Sequence, residues 1–137
     1  MQRGSKCLFQ RLDNGIQEFC FQQSSHAAVD EFIDHLNWIV DNDPAYKTEA
    51  TSRILMDTSK SGALPMYYIA KRANEWTRSR PVTVQARLSR TAQLYSASSA
   101  YVSIARNLGK VFSNPSSKQE YFHNDRDAAI AWLLKDD

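Results

Sequence analysis

Apolar and polar side chains alternate along two short runs, Lys6–Leu12 and Ile16–Gln22, separated by Asp13-Asn14-Gly15. Period-two alternation broken by Asn-Gly predicts a β-hairpin. A two-residue turn at Asn14-Gly15 sets Cys7 opposite Gln22, Cys20 opposite Phe9, and Arg11 opposite Glu18, an opposite-charge pair that favours this register. Leu8, Leu12, Phe19 and Phe21 then share one face, and Cys7, Phe9 and Cys20 the other. Apolar groups on both sides predict a sheet covered on both faces.

The period changes after Ser24-Ser25, either of which can cap a helix running to about Asn42. Val29, Phe32, Ile33, Leu36, Ile39 and Val40 recur at helical spacing, and Asp30, Glu31 and Asp34 fall on the opposite face. Asp43-Pro44 ends it, because a residue before proline avoids the helical region. A polar loop leads to a short apolar strand, Arg53–Asp57, and Thr58-Ser59-Lys60-Ser61-Gly62 turns into a second helix, Leu64 to Arg78. Met66, Ile69, Ala70, Ala73 and Trp76 form its apolar stripe, with Pro65 suited to the first turn.

Val82–Leu88 alternates like a strand. Thr91 to Leu108 reads as a third helix burying Leu94, Ala97, Tyr101, Ile104 and Leu108, with Tyr95 and Val102 off the stripe and Gly109 as the stop. Gln119–His123 is a last strand, and Asn124 caps a final helix carrying Ala128, Ala129, Trp132 and Leu133. The order is β-β-α-β-α-β-α-β-α. Helices alternating with strands imply parallel crossovers. The predicted fold is α/β, a mixed sheet with an N-terminal hairpin, strand-helix crossovers, and helices packed on the sheet. Residues 1–137 form one domain, since no linker or repeat divides them.

Composition narrows the class. A 42% hydrophobic, 23% charged chain belongs with globular domains. No apolar run approaches the roughly 20 residues of a membrane span, and no signal-peptide pattern opens the chain, so a cytoplasmic protein is expected. The two cysteines would sit diagonally across the hairpin, which favours free thiols. None of the four glycines builds a Gly-x-Gly-x-x-Gly or Walker-type loop, so no nucleotide cofactor is predicted. His26, His35 and His123 fit no metal spacing, and His35 reads as a surface or boundary residue.

Charge is segregated along the chain. Residues 1–50 carry four Lys/Arg and eight Asp/Glu; residues 51–110 carry ten against two; residues 111–137 carry three against five. Lys60, Lys71, Arg72, Arg78, Arg87 and Arg90 therefore mark a candidate surface for a protein partner or homodimer, or for an anionic lipid or small ligand. The acidic helix near the N-terminus is the alternative counter-surface, within the chain or across a dimer. Nucleic acid is disfavoured, because no recognised motif accompanies the charge. Thr58, Ser59 and Ser61 sit where a strand feeds a helix, as caps and turn residues or as phosphate acceptors. Asp57 ends a strand where α/β sites form. An enzyme would need it joined to a histidine or Cys20, and nothing local argues for that.

Ile54-Leu55-Met56-Asp57, the loop Thr58–Gly62, and the closing Tyr121-Phe122-His123-Asn124-Asp125-Arg126-Asp127-Ala128-Ala129-Ile130-Ala131-Trp132-Leu133 resemble the STAS family, and within it the SpoIIAA-like, SEC14-related proteins. The resemblance covers the element order over nearly the whole chain. It implies a non-catalytic regulatory module, akin to an anti-sigma-factor antagonist, whose serine before the second helix is phosphorylated by a partner kinase. Ser61, directly before Gly62, is the closest positional match, although Lys60 interrupts the family's Asp-Ser-Ser-Gly pattern. The SEC14 relation implies the alternative, a carrier or sensor of a lipid or other apolar anionic molecule.

Overall fold

A computed structural model describes residues 2–96, 102, 106 and 117–136. Strands β1 (Cys7–Arg11) and β2 (Gln17–Phe21) form the hairpin, followed by helices α1 (His26–Asn42) and α2 (Pro44–Thr48) and strand β3 (Thr51–Asp57). Helices α3 (Met66–Arg78) and α4 (Val82–Gln85) precede β4 (Leu88–Tyr95). Strand β5 (Ser117–His123) and helix α5 (Arg126–Leu133) complete the fold, and Val102 and Arg106, between β4 and β5, are helical. The five strands lie side by side in chain order; β1 and β2 are antiparallel, and β2 through β5 run parallel.

Local chemistry explains the boundaries. The Ser25 hydroxyl accepts from the Ala28 amide at 3.1 Å and opens α1. Asp43 closes α1 and opens α2: its amide donates to the Ile39 carbonyl at 3.1 Å, and its carboxylate accepts from the Ala45 amide at 3.0 Å. Asp125 caps α5 through the Ala128 amide at 3.0 Å. The predicted cap, Asn124, instead takes the left-handed turn before it, with φ at 51°.

Two apolar layers hold the sheet. On one face Cys7, Phe9, Phe19, Phe21 and Met56 pack against Ala28, Phe32, Ile33 and Ile39 of α1, with α3 partly covering the same side. Phe19 is its centre, stacked on Phe9 at 5.0 Å and edge-on to Phe32 at 4.9 Å. On the other face Ile16, Leu55, Ala92 and Leu94 meet Ala129 and Leu133 of α5. The α/β class and the mixed five-stranded sheet match the sequence prediction.

Several finer predictions need correction. The hairpin closes through a three-residue loop. The Leu12 amide donates to the Ile16 carbonyl and the Gly15 amide to the Leu12 carbonyl, while Gly15 takes φ +89°, as a type I turn with a glycine bulge requires. The register slips by one: Cys7 faces Phe21, Leu8 faces Cys20, Gln10 faces Glu18, and Arg11 faces Gln17. Cys7 and Cys20 therefore lie on opposite faces, and both thiols are free. The polar loop after Pro44 contains α2.

Val82–Gln85 is a helical turn, started by Pro81, rather than part of a strand. The fourth strand begins at Leu88 and takes Thr91–Tyr95 away from the predicted third helix. Leu94 is buried as expected, but from a strand, and Val102 is buried although it falls off the predicted apolar stripe. Ala97, Tyr101, Ile104 and Leu108 lie outside the described residues. The α3 stripe is only half-covered, with no residue fully buried. His35 is buried, packed by Phe9 and Phe19, with Nε2 donating to the Cys7 carbonyl at 2.6 Å.

Candidate functional site

The C-terminal edge of the parallel strands, where β3 runs into α3, is where open α/β sheets place their sites. The structure brings Asp57, Thr58, Ser59, Lys60 and Ser61 together there, and most of the loop is tied inward. Thr58 is buried, its amide and hydroxyl both donating to the Leu94 carbonyl. Ser59 donates its amide (2.9 Å) and hydroxyl (2.6 Å) to one carboxylate oxygen of Asp57. Ser61 is half-buried, its hydroxyl reaching the carbonyls of Gly62 at 3.0 Å and Thr58 at 3.4 Å. Gly62 takes φ +75°, a left-handed turn that favours glycine, and Lys60 is exposed.

The other oxygen of Asp57 lies 3.9 Å from the Cys20 sulfur and 3.9 Å from the Arg126 guanidinium, which also pairs closely with the buried Glu18. Burial, reinforced by the Asp57 carboxylate, holds the Cys20 thiol above its ordinary range despite the opposing pull of Lys60. A raised thiol is a poor nucleophile at neutral pH. The histidines stand elsewhere: His35 in the core, His26 stacked on Tyr68 at 3.8 Å, and His123 against Tyr95 at 5.3 Å. Among the described residues no cluster of three or more His, Cys, Asp or Glu is placed to hold a metal ion.

The predicted basic surface is divided. Arg72 pairs with Asp30 at 3.2 Å and Glu75 at 3.8 Å. Arg87 lies 3.9 Å above the Tyr46 ring, donates to the Ser52 hydroxyl at 2.7 Å, and pairs with Glu49 at 3.3 Å. Arg90 is buried on the opposite face, over the Trp132 ring at 4.5 Å, donating to the Lys135 carbonyl at 2.7 Å. These three hold the fold. Lys60, Lys71 and Arg78 remain exposed, with Lys71 only loosely near Glu75 at 3.9 Å.

Positions 67, 71 and 78 share the outer stripe of α3 by helical spacing. Tyr67, 78% exposed, therefore stands one turn from Lys71 on the helix that follows the loop carrying Lys60 and Ser61. The off-stripe position of Tyr67 among Met66, Ile69 and Ala70 was the available signal of that exposure. Arg126 was missed altogether, because only the tertiary fold carries it to Glu18 and Asp57.

Between α3 and the sheet lies a cleft of about 800 Å³. Leu36, Ile39, Ile54, Ile69 and Trp76 line it with apolar surface, and Ser89, Thr91, Gln93, Gln119 and Tyr121 give it a neutral polar floor on β4 and β5. No helix among the described residues is long and apolar enough to cross a membrane. No protein-family model matches the chain, and no curated protein or solved structure matches it either.

Proposed function

We propose that this chain is a STAS-like, SpoIIAA-like cytoplasmic module that acts by binding a protein partner rather than by catalysis. The outer stripe of α3 and the β3–α3 loop form its contact surface. The carrying observation is Tyr67, a large aromatic side chain left 78% exposed one turn from Lys71, with Arg78 further along the same stripe and Lys60 exposed in the loop before the helix. Exposed aromatics flanked by cations are the residue types that anchor interfaces, and the positive rim suits an acidic partner. The hairpin followed by parallel strands in chain order supports the STAS-like reading.

Within the loop, Ser61 is the hydroxyl suited to regulated phosphorylation. Thr58 is buried, and a phosphate on Ser59 would stand against the Asp57 carboxylate. A photo-crosslinking residue at position 67, in cells of the source organism, should capture a defined protein, and Lys71→Glu should abolish the capture. Crosslinking no stronger than from the equally exposed Val82 would refute the surface.

The 800 Å³ cleft favours a second reading, a carrier or sensor of a lipid or other apolar anionic molecule, because its volume lies in the range of small-molecule sites. Native mass spectrometry of the freshly purified chain should then show a bound small molecule. Ile69→Trp, which fills the cleft, should remove that molecule without moving the crosslink at position 67.

A further inference from the structure

An exposed edge strand presents unpaired amides and carbonyls that invite another strand. Strand β1 is such an edge. The Gln22 amide donates to the Lys6 carbonyl and the Leu12 amide to the Ile16 carbonyl, so even-numbered residues of β1 bond to β2. Cys7 and Phe9 therefore point their backbone groups outward, and all four of those groups are occupied. The Phe9 amide donates to the Arg3 carbonyl at 2.8 Å, and the Phe9 carbonyl accepts from the Arg3 amide at 2.7 Å. The Cys7 amide donates to Glu31 at 3.2 Å, and the Cys7 carbonyl accepts from His35 at 2.6 Å. Because a carbonyl only accepts, the facing His35 nitrogen carries the proton.

The chain before β1 is bent into this position by Gly4, at φ +99°. A Cβ there would come within 2.3 Å of the Cys7 carbonyl oxygen, 2.5 Å of the Glu31 carboxylate and 2.8 Å of the His35 ring. One Glu31 oxygen accepts from three successive amides, Ser5 (2.5 Å), Lys6 (3.0 Å) and Cys7 (3.2 Å), and the other accepts from the Ser5 hydroxyl at 3.4 Å. Successive amides converging on one anion form a nest, here filled by a side chain of α1.

We propose that Arg3–Lys6 is a strap that guards the β1 edge and that the ionised Glu31 carboxylate is its latch. Removing that charge frees the strap and uncovers Phe9, leaving an edge able to accept a strand. The titratable groups facing the latch are His35, one turn further along α1, and the Cys7 thiol of β1. Burial opposes the Glu31 charge, but the amides of Ser5, Cys7 and Lys6, aided by His35, outweigh it and hold the carboxyl below its ordinary range. The latch therefore stays shut above the usual glutamate value of about 4.3 and opens as pH falls through a lower one.

Residue-resolved hydrogen exchange on the full chain, corrected for intrinsic rates, tests this. In Glu31→Gln at neutral pH the Phe9 amide should exchange about tenfold faster or more, because charge-assisted bonds are replaced by weaker neutral ones. The Leu55 amide, central in β3, should keep its protection, and Asp34→Asn on the exposed side of α1 should change neither. In the unmodified chain, acidification should release Phe9 before Leu55. Unchanged Phe9 exchange in Glu31→Gln, or simultaneous loss at Phe9 and Leu55 in both experiments, would overturn the proposal.

Discussion

Arg126 offers the sharpest test of how the sheet edge is held, because it serves two carboxylates from a different element. Glu18 is nearly enclosed, with its side chain 8% exposed, whereas Arg126 is 42% exposed. At an effective dielectric near 20, unit charges about 4 Å apart interact by about 4 kcal/mol. Solvent screening at the half-open arginine cuts the net value to roughly 1.5–2.5 kcal/mol. Glu18 keeps one partner when the arginine is lost, the Gln10 amide at 2.7 Å.

Arg126→Met should therefore cost about 2 kcal/mol, which at a urea m-value of about 2 kcal/mol/M lowers the unfolding midpoint by about 1 M. The decisive measurement is the double-mutant cycle with Glu18→Gln, which keeps the shape of the side chain and removes its charge. In that background Arg126→Met should cost no more than about 0.5 kcal/mol, the residue of lost packing and of the longer contact to Asp57. An arginine substitution equally costly in both backgrounds would refute the charge argument and leave only packing.

Two further outcomes follow from the structure. Asp43→Ala should destabilise the chain by about 2 kcal/mol in denaturant unfolding, since it removes the α2 cap and the closer of the two carboxylates of Arg11, which grips Asp43 at 2.6 Å and keeps Glu49 at 3.1 Å; a loss below about 1 kcal/mol would show the cap alone matters. In native protein at neutral pH a thiol reagent should modify Cys20 slowly and leave Cys7 untouched, because both thiols are held above their ordinary range, first by burial, and only Cys20 is partly open. Two thiols should react in denaturant, and rapid native reaction of both would contradict the burial of Cys7.

The fold was legible wherever periodicity and capping agreed. The α1 segment carried both a serine cap and an unbroken apolar stripe, and it formed as predicted. The stretch 82–95 misled because alternation occurs twice in succession. Val82, Val84 and Leu88 alternate in sequence, yet Val82 is exposed in a proline-started turn. Ala92 and Leu94 alternate again, and these are the ones buried under α5. Only pairing along β3, which sets Ala92 beside Leu55 and Leu94 beside Asp57, distinguishes the two patterns. The hairpin register failed for a similar reason. Asn-Gly serves both two- and three-residue loops, and the choice between them exchanges the faces of β2 relative to β1, bringing Phe19 and Phe21 to the side of Cys7 and Phe9. The cluster of Glu18, Cys20, Asp57 and Arg126 joins three separate elements and has no local signature.

Charge segregation carries a lesson of its own. A basic middle next to an acidic start suggests a surface waiting for a partner, but much of it is complementarity within the chain. Asp30 holds Arg72, Asp41 lies 3.4 Å from Arg80, and Glu49 holds Arg87, so acids from the first fifty residues neutralise three central arginines. Arg53 and Arg90, side by side on β3 and β4, turn to the C-terminal end of α5 and donate to the Leu133 and Lys135 carbonyls at 2.6 and 2.7 Å. Two like charges can be neighbours there because the negative end of the helix takes both. Subtracting these five, and Arg106, which lies over the Tyr121 ring at 4.9 Å and 3.9 Å from Glu120, leaves Lys60, Lys71 and Arg78 as the other exposed cations of the described middle segment, with Lys71 and Arg78 on the same stripe of α3 as Tyr67. A binding surface of three cations and one aromatic is smaller than the sequence implied, and it depends more on Tyr67 than on net charge. Tyr67→Ala should therefore weaken co-purification of that partner with the chain more than raising the salt concentration does.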